Sequence, residues 1–324
     1  MIITRTPYRV SLFGGGTDHP NWYRANGGAV LSFTIDKFSY INVRELPPFF
    51  GHNFRISYSK VETVQRIEQI QHPAVRVGFE KYTPTLNLEL HHHGDLPARS
   101  GVGSSSAFAV GLISALLALN DRSVSPEALA DLAISFEQRD LLETVGSQDQ
   151  IACALGGMNF IEFGPGEHWT ATKVNLSRSY LDEIESRIVL LYSGIPRFSS
   201  DISKSLLENL DLKVQSMKKT QKLAVECLRI FQQESDLTQI GPMLVESWNL
   251  KKSLNPDSVT PLLEELFQKA TNAGAEGGKI LGAGGGGFCL FWVDPQNRDE
   301  FIHKMSPTVT VPIRITDEGS TRIL

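Results

Sequence analysis

"LPARSGVGSSSAFAVGLISALLAL", residues 96–119, is the stretch on which the reading of this chain turns. Two glycines and three consecutive serines run straight into an apolar, alanine-rich segment. The pattern predicts a helix over 104–119 with Ser104, Ser105 and Ser106 in its first turn. The first four N–H groups of a helix have no partner inside it, and the aligned peptide dipoles leave that end partly positive. Glycine on the approach removes the Cβ that would hold a ligand off the backbone. "SGVGSSSA" (100–107) therefore offers free amides together with hydroxyls, the chemistry of a phosphate cradle. A serine cap on an ordinary helix is the alternative, and the glycine spacing is what brings the phosphate reading level with it. No Gly-Lys-Ser or Gly-Lys-Thr occurs, so this is not a Walker loop, and the His-Arg-Asp and Asp-Phe-Gly signatures of protein kinases are missing.

Working outward, two more glycine-rich turns appear. "RTPYRVSLFGGGTDHPNWY" (5–23) sets a glycine triplet directly after a strand pattern. "KILGAGGGGFCLFWV" (279–293) does the same with five glycines in the six positions 282–287. Either alone reads as a tight turn between strands. The first third of the chain alternates short β-prone runs with turns, at 9–13, 29–35, 39–45, 53–59 and 86–93, with a helix at 72–82. Helices follow at 104–119, 126–142 and 149–155, then paired strands at 156–164 and 169–176. A second block begins at "RIVLLYSG" (187–194) and carries helices at 200–211, 214–234, 237–254 and 259–273. Strands at 279–284 and 288–294, a helix near 297–305 and closing strands at 308–316 complete it. Strands and helices grouped in two mixed blocks indicate an α+β fold, with domains over 1–180 and 181–324.

Composition narrows the function classes. The 324 residues carry 31 Lys and Arg against 36 Asp and Glu, a formal charge of −5, which gives nucleic acid or an anionic membrane no basic surface to hold. The longest apolar runs, such as "FCLFWV" (288–293), are strand-sized and too short to span a bilayer. Three scattered cysteines suit neither a disulfide framework nor a Cys-x-x-Cys zinc site, and no signal-peptide core opens the sequence. The expectation is a cytoplasmic protein, monomer or homodimer, whose partner is a small molecule.

In order and position, the three glycine stretches resemble the three motifs of the GHMP kinases. In that family the first has the form Pro-x-Arg/Lys-x-x-x-x-Gly-x-x-x-Asp, the second is Gly-Leu-Gly-Ser-Ser and the third is a Gly-x-Gly-Gly turn. Val102 replaces the usual leucine here. The resemblance covers essentially the whole chain. It implies a two-domain fold with the nucleotide and substrate site between the domains, and ATP-dependent phosphorylation of a small molecule. "GGGTD" (14–18), "GSQDQIACALGGMNFIEFG" (146–164) and "LYSGIPRFSSDI" (191–202) further resemble the branch of heptose 7-phosphate kinases, although Tyr8 and Arg99 depart from its commoner residues. That branch implies transfer to the anomeric hydroxyl of D-glycero-D-manno-heptose 7-phosphate. L-fucose, galactose or another sugar 1-kinase is the alternative, and a non-catalytic ATP and sugar sensor is the rival from a different class.

Candidate site residues come from both sources. Along 126–142, Leu129, Leu132, Ala133, Phe136 and Leu141 share one helical face, and Glu137 and Asp140 fall inside that apolar arc. A carboxylate pointing inward needs a partner, and a buried ion pair or a helix-end acid would supply one. The resemblance selects Glu137 as a Mg²⁺ ligand alongside the Ser105 hydroxyl. Asp149 reads by position as an ordinary acid in a first helical turn. The resemblance makes it the group that accepts or orients the substrate proton, with Arg9 holding it ionised. The same resemblance places Gly101, Val102, Gly103, Ser104, Ser105, Ser106 and Ala107, with Gly284 and Gly285, at the ATP. It places Gly15, Gly16, Thr17, Asp18 and His19 at the sugar, and Arg197 is a candidate clamp for a substrate phosphate. His91, His92 and His93 alternate across a strand and cannot reach one ion together.

Overall fold

The first expected strand, 9–13, is the end of a longer one: β1 runs over Ile2–Phe13 and pairs antiparallel with β2, Gly28–Glu45. The structure is a computed structural model describing residues 1–195 and 210–324; Arg197 and most of the helix expected at 200–211 lie outside the described residues. The runs 29–35 and 39–45, expected as two strands, form β2 as one. Tyr8 pairs with Ile35 but Pro7 with Phe38, so Asp36 and Lys37 bulge out of the ladder. Pro7 has no N–H to offer the ladder, which suits a bulge at that point. The bulged Asp36 takes up the chain's last segment: its N–H donates to the Arg314 carbonyl, and its Oδ1 accepts from Arg314 N, both at 2.9 Å.

The length of β2 gives it two neighbours besides β1. Residues 39–45 pair with β5 (Leu88–Gly94), and residues 28–33 pair with β6 (Met158–Phe163). β3 (Phe54–Ser57) lies parallel to β5 and forms a hairpin with β4 (Val61–Val64), while β7 (Trp169–Lys173) pairs with β6. A final strand, β12 (Thr321–Arg322), returns to β1 and makes this an eight-stranded sheet. After the first glycine turn comes a short helix that the pattern did not suggest, α1 (Pro20–Asn26). α2 (Pro73–Tyr82), α4 (Pro126–Ser135) and α5 (Gln148–Leu155) pack around α3, which spans Ser104–Leu119 as expected and lies against β1 and β2.

α6 (Arg178–Arg187), inside which the expected division at residue 180 falls, leads into a second, antiparallel sheet. Its strands are β8 (Ile188–Tyr192), β9 (Ala275–Ile280), β10 (Phe288–Val293) and β11 (Val309–Val311), in the order β11-β8-β10-β9. The unbroken apolar runs of β8 and β10 are explained by burial on both faces. Ile188, Leu190, Phe288, Leu290 and Trp292 join the core that continues under the first sheet. Their alternates Val189, Leu191, Cys289, Phe291 and Val293 join a smaller core with Trp248, Leu263, Phe301 and Met305. The remaining helices are α7 (Leu210–Gln232), α8 (Ile240–Leu254), α9 (Pro261–Ala273) and α10 (Arg298–Met305). Met217, Ala224 and Phe231 of α7 pack into the core, and the helix rests against β1 and β2. The result is an α+β fold of two domains. The three cysteines are buried and free, and among the described residues no helix is long and apolar enough to cross a membrane.

Candidate active site

The turn before α3 is built around Arg9. Gly103 caps the helix in the left-handed conformation at φ 72°, and a Cβ there would stand 3.0 Å from Arg9 Cγ, so glycine meets both demands. Arg9 N donates to the Val102 carbonyl at 3.0 Å, and Arg9 Nη1 donates to the Gly101 carbonyl at 2.7 Å. Ser104 Oγ accepts from Arg99 N at 3.0 Å and closes the loop on itself. Ser104, Ser105 and Ser106 are the residues whose amides lie in the unpartnered first turn. Ala107 is a correction: its N–H is spent on the Gly103 carbonyl at 2.8 Å and its side chain is fully buried, so it belongs to the helix rather than to a ligand.

Glu137 meets this turn from the other side. α4 opens with Ser125 capping Ala128 N and Pro126 in its first turn, then widens into a π turn over Phe136–Asp140. The extra residue turns Asp140 outward to an ion pair with Lys81 and leaves Glu137 buried. Its partners are not cations. Ser105 Oγ donates to Oε1 at 3.2 Å, Ser106 Oγ to Oε2 at 2.8 Å, and Gln150 Nε2 also donates to Oε2. Burial, opposed by those hydrogen bonds from Ser106 and Gln150, pushes the carboxyl up to about 8. An exposed hydroxyl beside a carboxylate that lacks a cation is a hard-oxygen pair suited to Mg²⁺, which takes its remaining ligands from phosphate and water. Among the described residues no cluster of three His, Cys, Asp or Glu side chains could enclose a metal, the three histidines of β5 included.

Asp149 lies in the first turn of α5, where the helix dipole favours a negative charge. Arg9 grips it with a two-pronged fork, Nε to Oδ1 at 2.6 Å and Nη2 to Oδ2 at 2.5 Å. Burial works against the Arg9 charge, but Asp149 outweighs it and holds the guanidinium above its ordinary value. Arg9 is nearly inaccessible and Asp149 is partly open, with side-chain exposures of 4% and 24%. The open edge of the pair is therefore the carboxylate.

The first glycine turn, with Gly15 and Gly16, sits beside this pair. Asp18 does unexpected work there. Its Oδ1 accepts from Gly16 N at 2.8 Å, its Oδ2 from Gln148 N at 3.3 Å, and its carbonyl from Ser147 N at 3.0 Å. Ser147 makes no side-chain cap, so Asp18 caps α5 from across the fold. Each Asp18 oxygen has lone-pair capacity beyond these bonds, on a residue only 2% exposed. Thr17 is a second correction. It is fully buried, and its one hydroxyl proton is shared between the Gly14 and Ala29 carbonyls while its oxygen accepts from Ala29 N, so it pins the turn and presents no surface to a sugar. The His19 carbonyl opens α1, accepting from Trp22 N at 2.9 Å.

The third glycine turn divides its contacts. Gly285 N donates to the Ser258 carbonyl at 2.8 Å and Gly284 packs on Ser258, while Gly287 packs on Ser100. Phe288 N donates to the Ser100 carbonyl at 2.8 Å, which joins the third turn to the serine turn. Lys251 Nζ donates to the Ile280 carbonyl at 3.1 Å and to that of Gly282. Lys279 is the residue the sequence reading missed. It is buried in β9, and its Nζ donates to the carbonyls of Leu12 at 3.0 Å and Ser11 at 3.2 Å, just ahead of the first glycine turn. Burial and then Arg9 push its amine down to about 7. The available signal was a lone lysine opening a buried run.

A surface cavity of about 550 Å³ lined by Glu127, Asp131, Trp169 and Lys173 shares no residue with this constellation, whose case rests on side-chain geometry. The chain matches the GHMP kinases N terminal domain over residues 64–157 and the GHMP kinases C terminal domain over residues 224–309. It is 28% identical over 312 residues to the D-glycero-alpha-D-manno-heptose 7-phosphate kinase of Campylobacter jejuni, covering 93% of this chain and 92% of that protein. The bifunctional fucokinase/GDP-fucose pyrophosphorylase of Arabidopsis thaliana is 25% identical over 309 residues, 88% of this chain and 29% of that protein. A crystal structure of a D-glycero-D-manno-heptose 1-phosphate kinase from Bacteroides thetaiotaomicron has the same fold. It superposes with a TM-score of 0.82 at 23% identity, over 100% of this chain and 99% of that one.

Proposed function

The chain belongs to the GHMP kinases, phosphotransferases that use ATP and an alcohol acceptor, and on that premise we propose that it phosphorylates the anomeric hydroxyl of D-glycero-D-manno-heptose 7-phosphate. The observation that carries the site assignment is the Arg9 fork. One guanidinium holds both oxygens of Asp149 and the carbonyl of Gly101, so the proton acceptor is tied to the phosphate turn. Phosphoryl transfer asks little covalent chemistry of a protein beyond positioning, charge neutralisation and a place for the acceptor's proton. The amides of Ser104 to Ser106 receive phosphate oxygens at the positive end of α3. Ser105 and Glu137 would hold Mg²⁺, which when bound neutralises charge on those oxygens. Asp149 orients the acceptor hydroxyl and takes its proton. Arg9 cannot act as a base, but its fork holds the Asp149 carboxylate in one orientation. Asp18, with the backbone of Gly15 and Gly16, forms the acceptor side.

The heptose phosphate is supported by the Campylobacter jejuni relative, which matches almost end to end. L-fucose is the second reading, favoured by the Arabidopsis match over most of this chain. The test is ADP release with Mg-ATP against D-glycero-D-manno-heptose 7-phosphate, mannose, galactose, fucose and mevalonate. We expect turnover on the heptose phosphate, with kcat reduced about 10²–10⁴-fold in Asp149→Ala. Turnover on a neutral sugar alone discards the substrate and keeps the mechanism. Binding of ATP without turnover of any acceptor favours the sensor.

A further inference from the structure

We propose that Ser11 and Gln148 read the hydroxyl groups next to the one that reacts, and that they make this site selective for a neutral vicinal diol at the reacting end of the acceptor. The inference rests on the kinase reading above. Ser11 Oγ and Gln148 Oε1 are buried side-chain atoms without a hydrogen-bond partner, on residues only 5% and 7% exposed. Buried polar groups are normally paired, and leaving one unpaired costs about 1–3 kcal/mol. Two orphans side by side mark a place where a ligand supplies the partners.

They do stand side by side. A Cβ on Gly15 would lie 3.1 Å from Ser11 Oγ and 3.5 Å from Gln148 Nε2, so both side chains close on the same glycine and a side chain there would crowd them. The same two elements present them and the Arg9–Asp149 pair. Ser11 follows Arg9 by two residues along β1, and Gln148 directly precedes Asp149 in α5. Both anchors are held from behind. Lys279 Nζ donates to the Ser11 carbonyl, and Asp18 Oδ2 accepts the Gln148 N–H.

The chemistry of the pair names its ligand. A carboxamide offers one donor and one acceptor edge and spans two adjacent hydroxyls, while a serine hydroxyl gives or accepts as required. Neither group is charged. The pair itself offers a phosphate no counter-charge, so the charged end of a phosphorylated acceptor points away from this corner. The hydroxyl nearest an anomeric one is the 2-hydroxyl, and the pair is assigned to it and its neighbour. A site built to bond a hydroxyl discriminates strongly against an analogue that lacks it.

The experiment is steady-state kinetics of the full chain on the acceptor it turns over and on its 2-deoxy and 3-deoxy analogues, with wild type, Ser11→Ala and Gln148→Ala. We expect acceptor KM to rise about tenfold in each variant, with kcat and the ATP KM changed much less. The wild-type penalty against one deoxy analogue should shrink by a similar factor, as two changes in one contact are not additive. Gln148→Met, which keeps the bulk without the amide, replaces Gln148→Ala should the latter melt early. Variants that keep the wild-type preference for the intact sugar would overturn the inference and leave the kinase reading standing. Wild-type turnover of mevalonate but of no sugar would overturn the sugar reading, and this inference with it.

Discussion

Glu137 enters the interior one residue into the π turn, where burial raises its carboxyl to about 8 against the hydrogen bonds of Ser106 and Gln150. At neutral pH without a cation the group is mostly protonated. A carboxyl whose folded pKa exceeds its unfolded value binds more protons when folded, so its contribution to stability falls as pH rises from about 4.5 toward 8. Glu137→Gln copies the shape of the protonated acid and cannot ionise. We expect the melting temperature of the variant relative to wild type to rise from about pH 4.5 to about pH 8 and to level off above it, while Mg-ATP-dependent turnover falls by at least about 10²-fold. Undiminished turnover would remove Glu137 from the metal site. The inward direction of this side chain was legible in helical periodicity. Asp140 satisfied the same pattern and went outward to Lys81, because the π turn adds a residue that periodicity does not register.

Among the elements, α3 begins and ends where its sequence indicates, since its apolar run and its glycine approach are local signals. The third glycine turn was visible as a turn, but its attachment to the serine turn was not. Gly287 has φ 88°, and a Cβ there would fall inside the contact distance of the Ser100 carbonyl oxygen. Gly287→Ala therefore combines backbone strain of about 1–3 kcal/mol with displacement of the serine turn. Gly166 is the control, because it has φ 82° with nothing within 4 Å of a Cβ, so Gly166→Ala carries the strain alone. Both variants should melt lower, and only Gly287→Ala should raise the ATP KM, by about tenfold or more for one lost charge-assisted contact. Equal ATP KM values in the two variants would separate the third turn from the nucleotide. The α5 cap follows the same logic: Ser147 stands at the cap position without a side-chain bond, and Asp18 supplies one from a distant turn.

Across the whole molecule, Lys279 ties the second sheet to the end of β1. Its folded pKa of about 7 lies below the ordinary 10.5, so the folded protein binds fewer protons than the unfolded chain between those values. Its contribution to stability rises with pH through that window, and below pH 7 the penalty of charging it is fully present. Lys279→Met removes both the penalty and the two hydrogen bonds. The melting temperature of the variant relative to wild type should therefore fall steadily from pH 6.5 to pH 10. A difference independent of pH would show that the amine is charged throughout.

What the sequence determined by itself was the set of parts: three glycine turns in order, a helix with a serine mouth, an inward carboxylate and an α+β pattern in two blocks. Each of these depends on residues within a few positions of one another, where backbone dihedrals, caps and periodicity act. Tertiary structure alone decided the uses of those parts. It joined Arg9 to Asp149 across 140 positions and Lys279 to Ser11 across 268. It also spent the Thr17 hydroxyl and the Ala107 amide inside the protein, and left Ser11 and Gln148 unpaired beside Gly15. The physical reason is that a polar side chain's role depends on which partner desolvation leaves within about 3 Å, and for these residues that partner comes from another element of the fold.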